Sequence, residues 1–371
     1  MERCDVLIVG GGPAGSSCAR RLVEAGCDVA ILDKAAFPRD KVCAGWITPA
    51  VVETLELDLA EYAVGRTVQP FTGFRTGPLD GDLRLTDYHG VISYGIRRCE
   101  FDDYLIRRSG ARLVLGQPLG DLRREKDEWV VNDAIRAAVI VGAGGHFCPI
   151  AHRMNAGAPP DEVVVAQEIE YRLGEAEGNA CEVAGERPEL FFWPDLLGYG
   201  WCVRKGAYLN VGAGHLRRSE FPARVRQFAA MLRDRGEVPG PIPSPWKGHA
   251  YLLNRTSLRR VSDTGLLLVG DAAGLALAPS GEGILPAVES GLMAADAILA
   301  ARPDYSRDRL APYTDRVWAR FGPRGENGAM ARLPAWLTAI ASRALHASPR
   351  LTRRILIEHA FLHRGRAALT H

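Results

Sequence analysis

Two glycine clusters hold the residue types best suited to chemistry in this chain. The first is Gly10-Gly11-Gly12-Pro13-Ala14-Gly15, followed by Asp33; the second is Gly270-Asp271-Ala272-Ala273-Gly274, followed by Pro279-Ser280-Gly281-Glu282-Gly283-Ile284. In the first, Gly10 permits a tight turn, Gly12 lets the backbone reach a pyrophosphate, and Gly15 allows a helix to pack closely on a strand. Asp33 is placed to accept hydrogen bonds from a ribose diol, and its charge disfavours a 2′-phosphate. In the second, Gly281 and Gly283 remove Cβ atoms where a planar ligand would approach the main chain. A helix starting there offers free amides and a positive dipole end to negative charge. Glu282 does not suit a simple anion site. An ordinary strand-turn-helix, with glycine used only for turning, is the competing reading of this second cluster taken alone.

The surrounding pattern supplies the elements that position these residues. Asp5 to Val9 and Asp28 to Leu32 are apolar strand-like runs around a helical Ser16 to Ala25, which together make a dinucleotide-binding βαβ unit for FAD or NAD. Leu266 to Val269 is a short strand with Asp271 at its exit, and a helical pattern runs from about Gly281 to Ala300. Strand-like segments lie between: Phe71 to Arg75, Val91 to Ile96, Arg112 to Leu115, Trp129 to Val131 and Ala137 to Val141. Gly157 to Pro160 reads as a boundary. Beyond it, Val163 to Tyr171, Glu189 to Trp193, Tyr199 to Arg204 and Tyr208 to Gly212 predict a largely antiparallel sheet, the candidate substrate platform. A helix from about Pro222 to Arg235 and a strand near His249 to Asn254 follow.

Composition narrows the class. A chain of 371 residues with 47% hydrophobic content can bury a large core, and a net charge of +2 argues against a nucleic-acid partner. No uninterrupted apolar run reaches membrane-spanning length, and the N-terminal apolar stretch is taken by the βαβ strand rather than a signal peptide, so a cytoplasmic location is expected. The eight cysteines show no CxxC or Cys/His clustering, which predicts reduced, mostly buried thiols and no metal site.

Taken together, the GxGxxG loop, the Arg98-x-x-Phe101-Asp102 segment and the distal GDAAG and SGEGI stretches resemble the geranylgeranyl reductase family of flavoproteins, which shares the p-hydroxybenzoate hydroxylase fold. The resemblance implies an α/β protein with a discontinuous dinucleotide-binding domain that holds FAD (1–66, 95–157 and 258–305), an antiparallel-sheet substrate domain (67–94 and 158–257) and a C-terminal helical segment (306–371). It implies that Arg98 approaches the FAD, that Asp271 binds the ribityl chain, and that Gly283 and Ile284 lie beside the flavin pyrimidine edge. Pro13, Ala14, Lys34, Ala44 and Gly270 complete the implied cofactor set. Lys41-Val42-Cys43-Ala44-Gly45 falls where the family carries Cys-Gly-Gly, with Ala44 in place of the first glycine. By resemblance Cys43 faces the substrate side of the flavin and supplies a proton; a small buried hydrophobe is the alternative.

Tyr199-Gly200-Trp201 resembles the family's Tyr-x-Trp-x-Phe-Pro, but Val203 and Arg204 replace its last two residues. Tyr199 and Trp201 share one face of a strand, lining a substrate tunnel or filling a core. Arg204 is a candidate for binding a substrate carboxylate or phosphate. Gly142-Ala143-Gly144-Gly145 lies where flavin hydroxylases carry Gly-Ala-Asp-Gly, so that acid is missing. No second full GxGxxG follows a strand, and NAD(P)H or another reductant is expected to dock transiently. His146 and His152 stand nearby and read chiefly as solvated or structural. The expected reaction is FAD-dependent reduction of carbon-carbon double bonds in an apolar, isoprenoid-like substrate. A monooxygenase or halogenase working through a C4a-hydroperoxide and a non-catalytic flavin redox sensor are the alternatives.

Past Ala300 the resemblance fades into a helix around Asp308 to Phe321 and an amphipathic tail from Met330 to the end. Six arginines face one Glu358 between Ser342 and His371, which reads as a solvated face or as peripheral contact with an anionic membrane or lipid substrate. Leu333, Trp336, Leu337 and Ile340 have near-helical spacing suited to closing an apolar cavity.

Overall fold

Val6, Leu7 and Ile8 are each fully buried, because the strand that carries them, Glu2–Val9, lies at the centre of an eight-stranded sheet and has two faces to cover. It pairs in parallel with Ile135–Gly142 on one side and Val29–Asp33 on the other. Leu266–Leu268 and Arg112–Leu115 extend the parallel set outward on the two flanks. The computed structural model describes residues 1–158, 162–254, 256–278, 280–322, 334–364 and 369. Pro279, the Pro159-Pro160 end of the anticipated boundary, Met330, Leu333 and the Trp336 side chain lie outside the described residues.

The helix Pro13–Glu24 leaves the glycine loop with its proline in the first turn, where no intrahelical N–H is required. It packs against the helix Ile284–Ala301, whose composition alone would suit a membrane span but which is 83% buried within this fold. That helix starts three residues later than its sequence pattern suggests. Gly281 has a φ of +72°, outside helical geometry, and Gly283 is the residue before the first turn.

The second sheet has seven strands in the order Lys247–Tyr251, Val164–Arg172, Tyr208–His215, Gly198–Lys205, Glu189–Phe192, Gly73–Pro78 and Arg84–Asp87. All neighbours are antiparallel except Glu189–Phe192 with Gly73–Pro78. The anticipated strand Phe71 to Arg75 is in fact two. The chain passes between sheets at Thr72, whose N–H donates to Glu186 and whose carbonyl accepts from Tyr88. Val68–Phe71 thereby pairs with Ser93–Ile96 in a third, three-stranded sheet that also contains Trp46–Ile47. The strand anticipated at His249 to Asn254 ends earlier, at Tyr251.

Candidate active site

A cavity of about 690 Å³ runs from the first glycine loop to the face of the antiparallel sheet. At its nucleotide end lie Gly10, Gly12, Pro13, Ala14, Asp33 and Lys34. Asp33 terminates its strand buried, and its two carboxylate oxygens accept from the Gly11 N–H at 2.7 Å and the Ala35 N–H at 2.9 Å. Asp33 thus shapes the loop while keeping lone pairs for a diol. Gly15 and Gly270 do not line the cavity. A Cβ at Gly15 would stand 2.0 Å from the Gly10 carbonyl oxygen, so its role is close packing, and the Gly270 N–H donates to Ser290 Oγ at 2.9 Å.

Midway, Arg98 begins the helix Arg98–Arg108 and turns into the cavity wall. Its guanidinium forks onto Asp102 one turn on, at 2.8 and 2.9 Å, and Arg39 reaches the same fully buried carboxylate at 3.3 Å. Burial opposes the Arg98 charge, but Asp102 more than offsets that and holds the group cationic. Across the cavity, Lys41 Nζ lies 2.5 Å from His249 Nε2, which lies 3.5 Å from Asp271 Oδ2. Burial would raise the Asp271 carboxyl, yet the hydrogen bond from His249 and the Lys41 charge bring it down to about 2. Burial draws the Lys41 ammonium down to about 8 and lowers His249 as well. Gly281, Gly283 and Ile284 border this part of the cavity, so the start of the long helix faces it.

The inner end is aromatic. Alternation along Gly198–Lys205 puts Tyr199 and Trp201 on the cavity face with ring centroids 5.9 Å apart, and Trp46 and Tyr251 join them. Tyr199 donates its hydroxyl to the Ser280 carbonyl at 2.5 Å, which ties this wall to the second glycine cluster. Cys43 and Ala44 line the cavity between Arg98 and the aromatic wall, and Cys43 Sγ accepts from the Gly45 N–H at 3.4 Å. The same alternation turns Arg204 away: it is absent from the lining and donates to the Gly206 carbonyl, so it is no ligand for a substrate in this cavity.

The tail closes the inner end with side chains other than those anticipated. The helix Ala335–Ala347 buries Thr338, Ser342 and His346, spaced four apart, and so leaves Ile340 at 56% exposure. The π-helical Thr352–Phe361 supplies the cover instead: Leu356, Ile357 and Ala360 pack under the sheet, and Phe361 enters the cavity wall. Phe361 stacks on Trp46 at 5.5 Å and meets Tyr199 edge-on at 5.2 Å. His363, just beyond, places Nε2 2.8 Å from a Glu282 oxygen. Glu282, ill suited to an anion site, therefore faces the tail. Of the six tail arginines, Arg353 and Arg364 pair with Glu358 at 3.1 Å each and stack over Tyr88.

Of the two histidines singled out by position, His146 is buried in the cavity wall beside Arg259, and His152 is exposed on a short helix. Sequence reasoning passed over His249 and Tyr251, which had no motif around them, and Phe361, hidden in a tail read for its amphipathic pattern and its charge. Asp102 was within reach: an acid four residues after Arg98 on a helix is the spacing of an ion pair.

The family described as FAD dependent oxidoreductase matches residues 5–75, the glycine loop and its two strands included. The chain is 29% identical to the menaquinone reductase of Mycobacterium tuberculosis over 80% of its own length and 76% of that protein's. It is 28% identical to the geranylgeranyl diphosphate reductase of a Synechocystis species, covering 80% and 75% of the two chains. Among solved structures, a geranylgeranyl bacteriochlorophyll reductase-like protein of Thermoplasma acidophilum superposes with a TM-score of 0.74 at 19% identity, over 98% of this chain and 93% of that one. The chain is thus an FAD-dependent oxidoreductase with geranylgeranyl reductase-like relatives, on the α/β fold those flavoproteins share.

Proposed function

We propose that this protein uses FAD to reduce carbon-carbon double bonds of an apolar, isoprenoid-like substrate. One observation carries the reading: the cavity that begins at the glycine cradle ends in a lobe walled by the rings of Trp46, Tyr199, Trp201, Tyr251 and Phe361. The names of the reductases it resembles point the same way. The residues fit the cofactor, since the glycine loop leaves its backbone open to a pyrophosphate and a Cβ at Gly12 would face only Arg39.

In this reading Gly10, Gly12, Pro13 and Ala14 hold the pyrophosphate, Asp33 and Lys34 the adenosine ribose end, and Asp271 the ribityl chain. Ala44, Arg98, Gly281, Gly283 and Ile284 border the ring system. Bound FAD supplies the hydride chemistry; the protein orients, excludes water and manages the proton. Cys43 holds that proton at its sulfur, beside Arg98 and facing the aromatic lobe. Tyr199 and Trp201 set the lobe's shape, and the Tyr199 hydroxyl is already committed to Ser280. NAD(P)H or another reductant docks transiently, and exposed Arg343, Arg350 and Arg354 on the tail give a peripheral contact with an anionic membrane.

The test is anaerobic reduction of the FAD-loaded protein, then stopped-flow reoxidation by a polyprenyl alkene and, separately, by oxygen. Fast oxidation by the alkene with formation of the saturated product is the expected result. Fast reaction with oxygen alone, with no saturated product, would overturn the reading in favour of oxygen-using chemistry.

A further inference from the structure

Behind the cavity wall, a buried polar knot grips the main chain of Cys43. Glu168 on Val164–Arg172, Asn210 on Tyr208–His215 and Trp201 on Gly198–Lys205 are brought to one face of the sheet by its antiparallel register. Trp201 reaches across because Gly212 lies beneath its ring, where a Cβ would stand 2.2 Å from the indole. The indole N–H donates to Asn210 Oδ1 at 2.7 Å. An indole nitrogen only donates, so Trp201 dictates which end of the Asn210 amide faces the other way. Asn210 Nδ2 then lies 3.2 Å from the Cys43 carbonyl oxygen and 3.1 Å from Glu168 Oε2, with a Glu170 oxygen farther off at 3.4 Å. One residue on from Cys43, Lys205 Nζ donates to the Ala44 carbonyl at 3.0 Å and the Ile96 carbonyl at 3.1 Å. Asn210 and Glu168 are 1% and 6% exposed, so water does not compete for these bonds, and neither residue lines the cavity.

We infer that Glu168 and Asn210 are positioning residues for Cys43: Asn210 holds its peptide C=O, Glu168 holds the Asn210 amide in place, and together they fix the direction in which the thiol enters the cavity and couple that direction to the Trp201 wall. A substrate that presses on Trp201 is thereby registered at Cys43 through a single amide. The catalytic consequence rests on the reading of Cys43 as proton donor, but the clamp itself does not. Burial raises the Glu168 carboxyl to about 7, against the Cys43 N–H and Lys205, which lower it. The charged groups around the clamp are Glu170 on the same strand, Lys205 on the strand beyond that of Asn210, and Arg97 and Arg98 at the start of their helix; Lys205 and Arg97 both bond Glu170. Above about pH 7 the carboxylate accepts from the Asn210 amide with its full charge; below it, protonation weakens that bond.

The experiment labels the FAD-loaded enzyme with iodoacetamide between pH 6 and 9 and follows each cysteine peptide by mass spectrometry, for wild type, Glu168→Gln and Asn210→Leu. Loss of one or two buried hydrogen bonds of ordinary strength frees the Cys43 loop, so both variants are expected to alkylate Cys43 about tenfold faster, with the partly exposed Cys99 and Cys181 unchanged. Wild type is expected to show an inflection near pH 7 in its Cys43 labelling that Glu168→Gln lacks. Should Asn210→Leu not fold, the nearly isosteric Glu168→Gln decides alone. An unchanged Cys43 rate and pH profile in folded, FAD-loaded Glu168→Gln would overturn the inference. Undiminished turnover in Cys43→Ser would instead sink the proton-donor reading and leave the clamp standing.

Discussion

At the scale of single residues, the proposed chemistry divides between one thiol and the charged groups that line the cavity. Cys43→Ser keeps the volume near the original and removes the thiol proposed as proton donor; turnover is expected to fall about 100-fold or more with FAD content unchanged, measured by product formation and flavin absorbance, because positioned acids contribute on that order. Lys41 provides a pH handle. Its ammonium is drawn down to about 8 by burial, so the charged form facing His249 and Asp271 is lost as pH rises through that value. The kcat/KM profile is expected to fall above about pH 8, and Lys41→Arg, which stays charged, to move that limb upward. A flat profile from pH 7 to 9 in the wild type would show that the Lys41 charge is not used. Cys43 and Asp271 stood out in the sequence because each sits in a motif. Lys41 stood beside one, and its importance depends on His249, which only folding brings to it.

At the scale of elements, two helices and a tail build the site around rigid sheet ends. Gly15 lets the Pro13–Glu24 helix approach its strand. In Gly15→Val the added carbons meet the Gly10 carbonyl, and overpacking of this kind costs typically 1–3 kcal/mol, about as much again being lost in cofactor affinity if the loop shifts. Thermal melts and FAD titration report the two effects separately. Phe361→Ala removes the ring that stacks on Trp46 and caps the aromatic lobe. Its expected signature is a KM for an apolar substrate raised about tenfold or more with FAD binding retained, since truncating a packed aromatic removes several kcal/mol of contact. The tail's amphipathic character was legible in its pattern; which turn would reach the cavity was not. Leu337 and Ile340 have the right spacing, but the helix buries Thr338, Ser342 and His346 instead, and the register was decided by what the sheet face offered as a partner.

At the scale of the whole molecule, buried titrating groups set opposite limits on stability. Burial raises Glu189 to about 8, with Glu237 adding to the effect and Arg75 opposing it, and Glu168 rises to about 7. A carboxyl with a folded-state pKa above its unfolded value contributes stability that is fully present at low pH and lost as pH rises through the folded pKa. His346 is pushed down to about 4 by burial, so its contribution is present above the ordinary histidine range and lost as pH falls. From these groups the Tm measured by calorimetry is expected to be highest near the ordinary carboxyl value of about 4.5, where the two buried carboxyls begin to outweigh the one histidine, and to decline from there toward about pH 8, with Glu189→Gln flattening this alkaline limb. An alkaline limb equally steep in that variant would assign it to other groups.

The sequence by itself determined the nucleotide end of this protein. A βαβ unit and its glycine spacing are local, set within one stretch of chain by turn geometry and strand sterics, and Asp33, Gly12 and the parallel central strands stand where their pattern puts them. Tertiary structure decided the other end. Whether Arg204 or its neighbours face the cavity, that Glu282 sits against His363, that Phe361 closes the lobe, and that Asn210, held by Glu168, holds Cys43 all depend on strand register and on contacts between residues far apart in the chain. Such contacts leave no periodic trace, because the groups that pair are selected by the packing of whole sheets and helices.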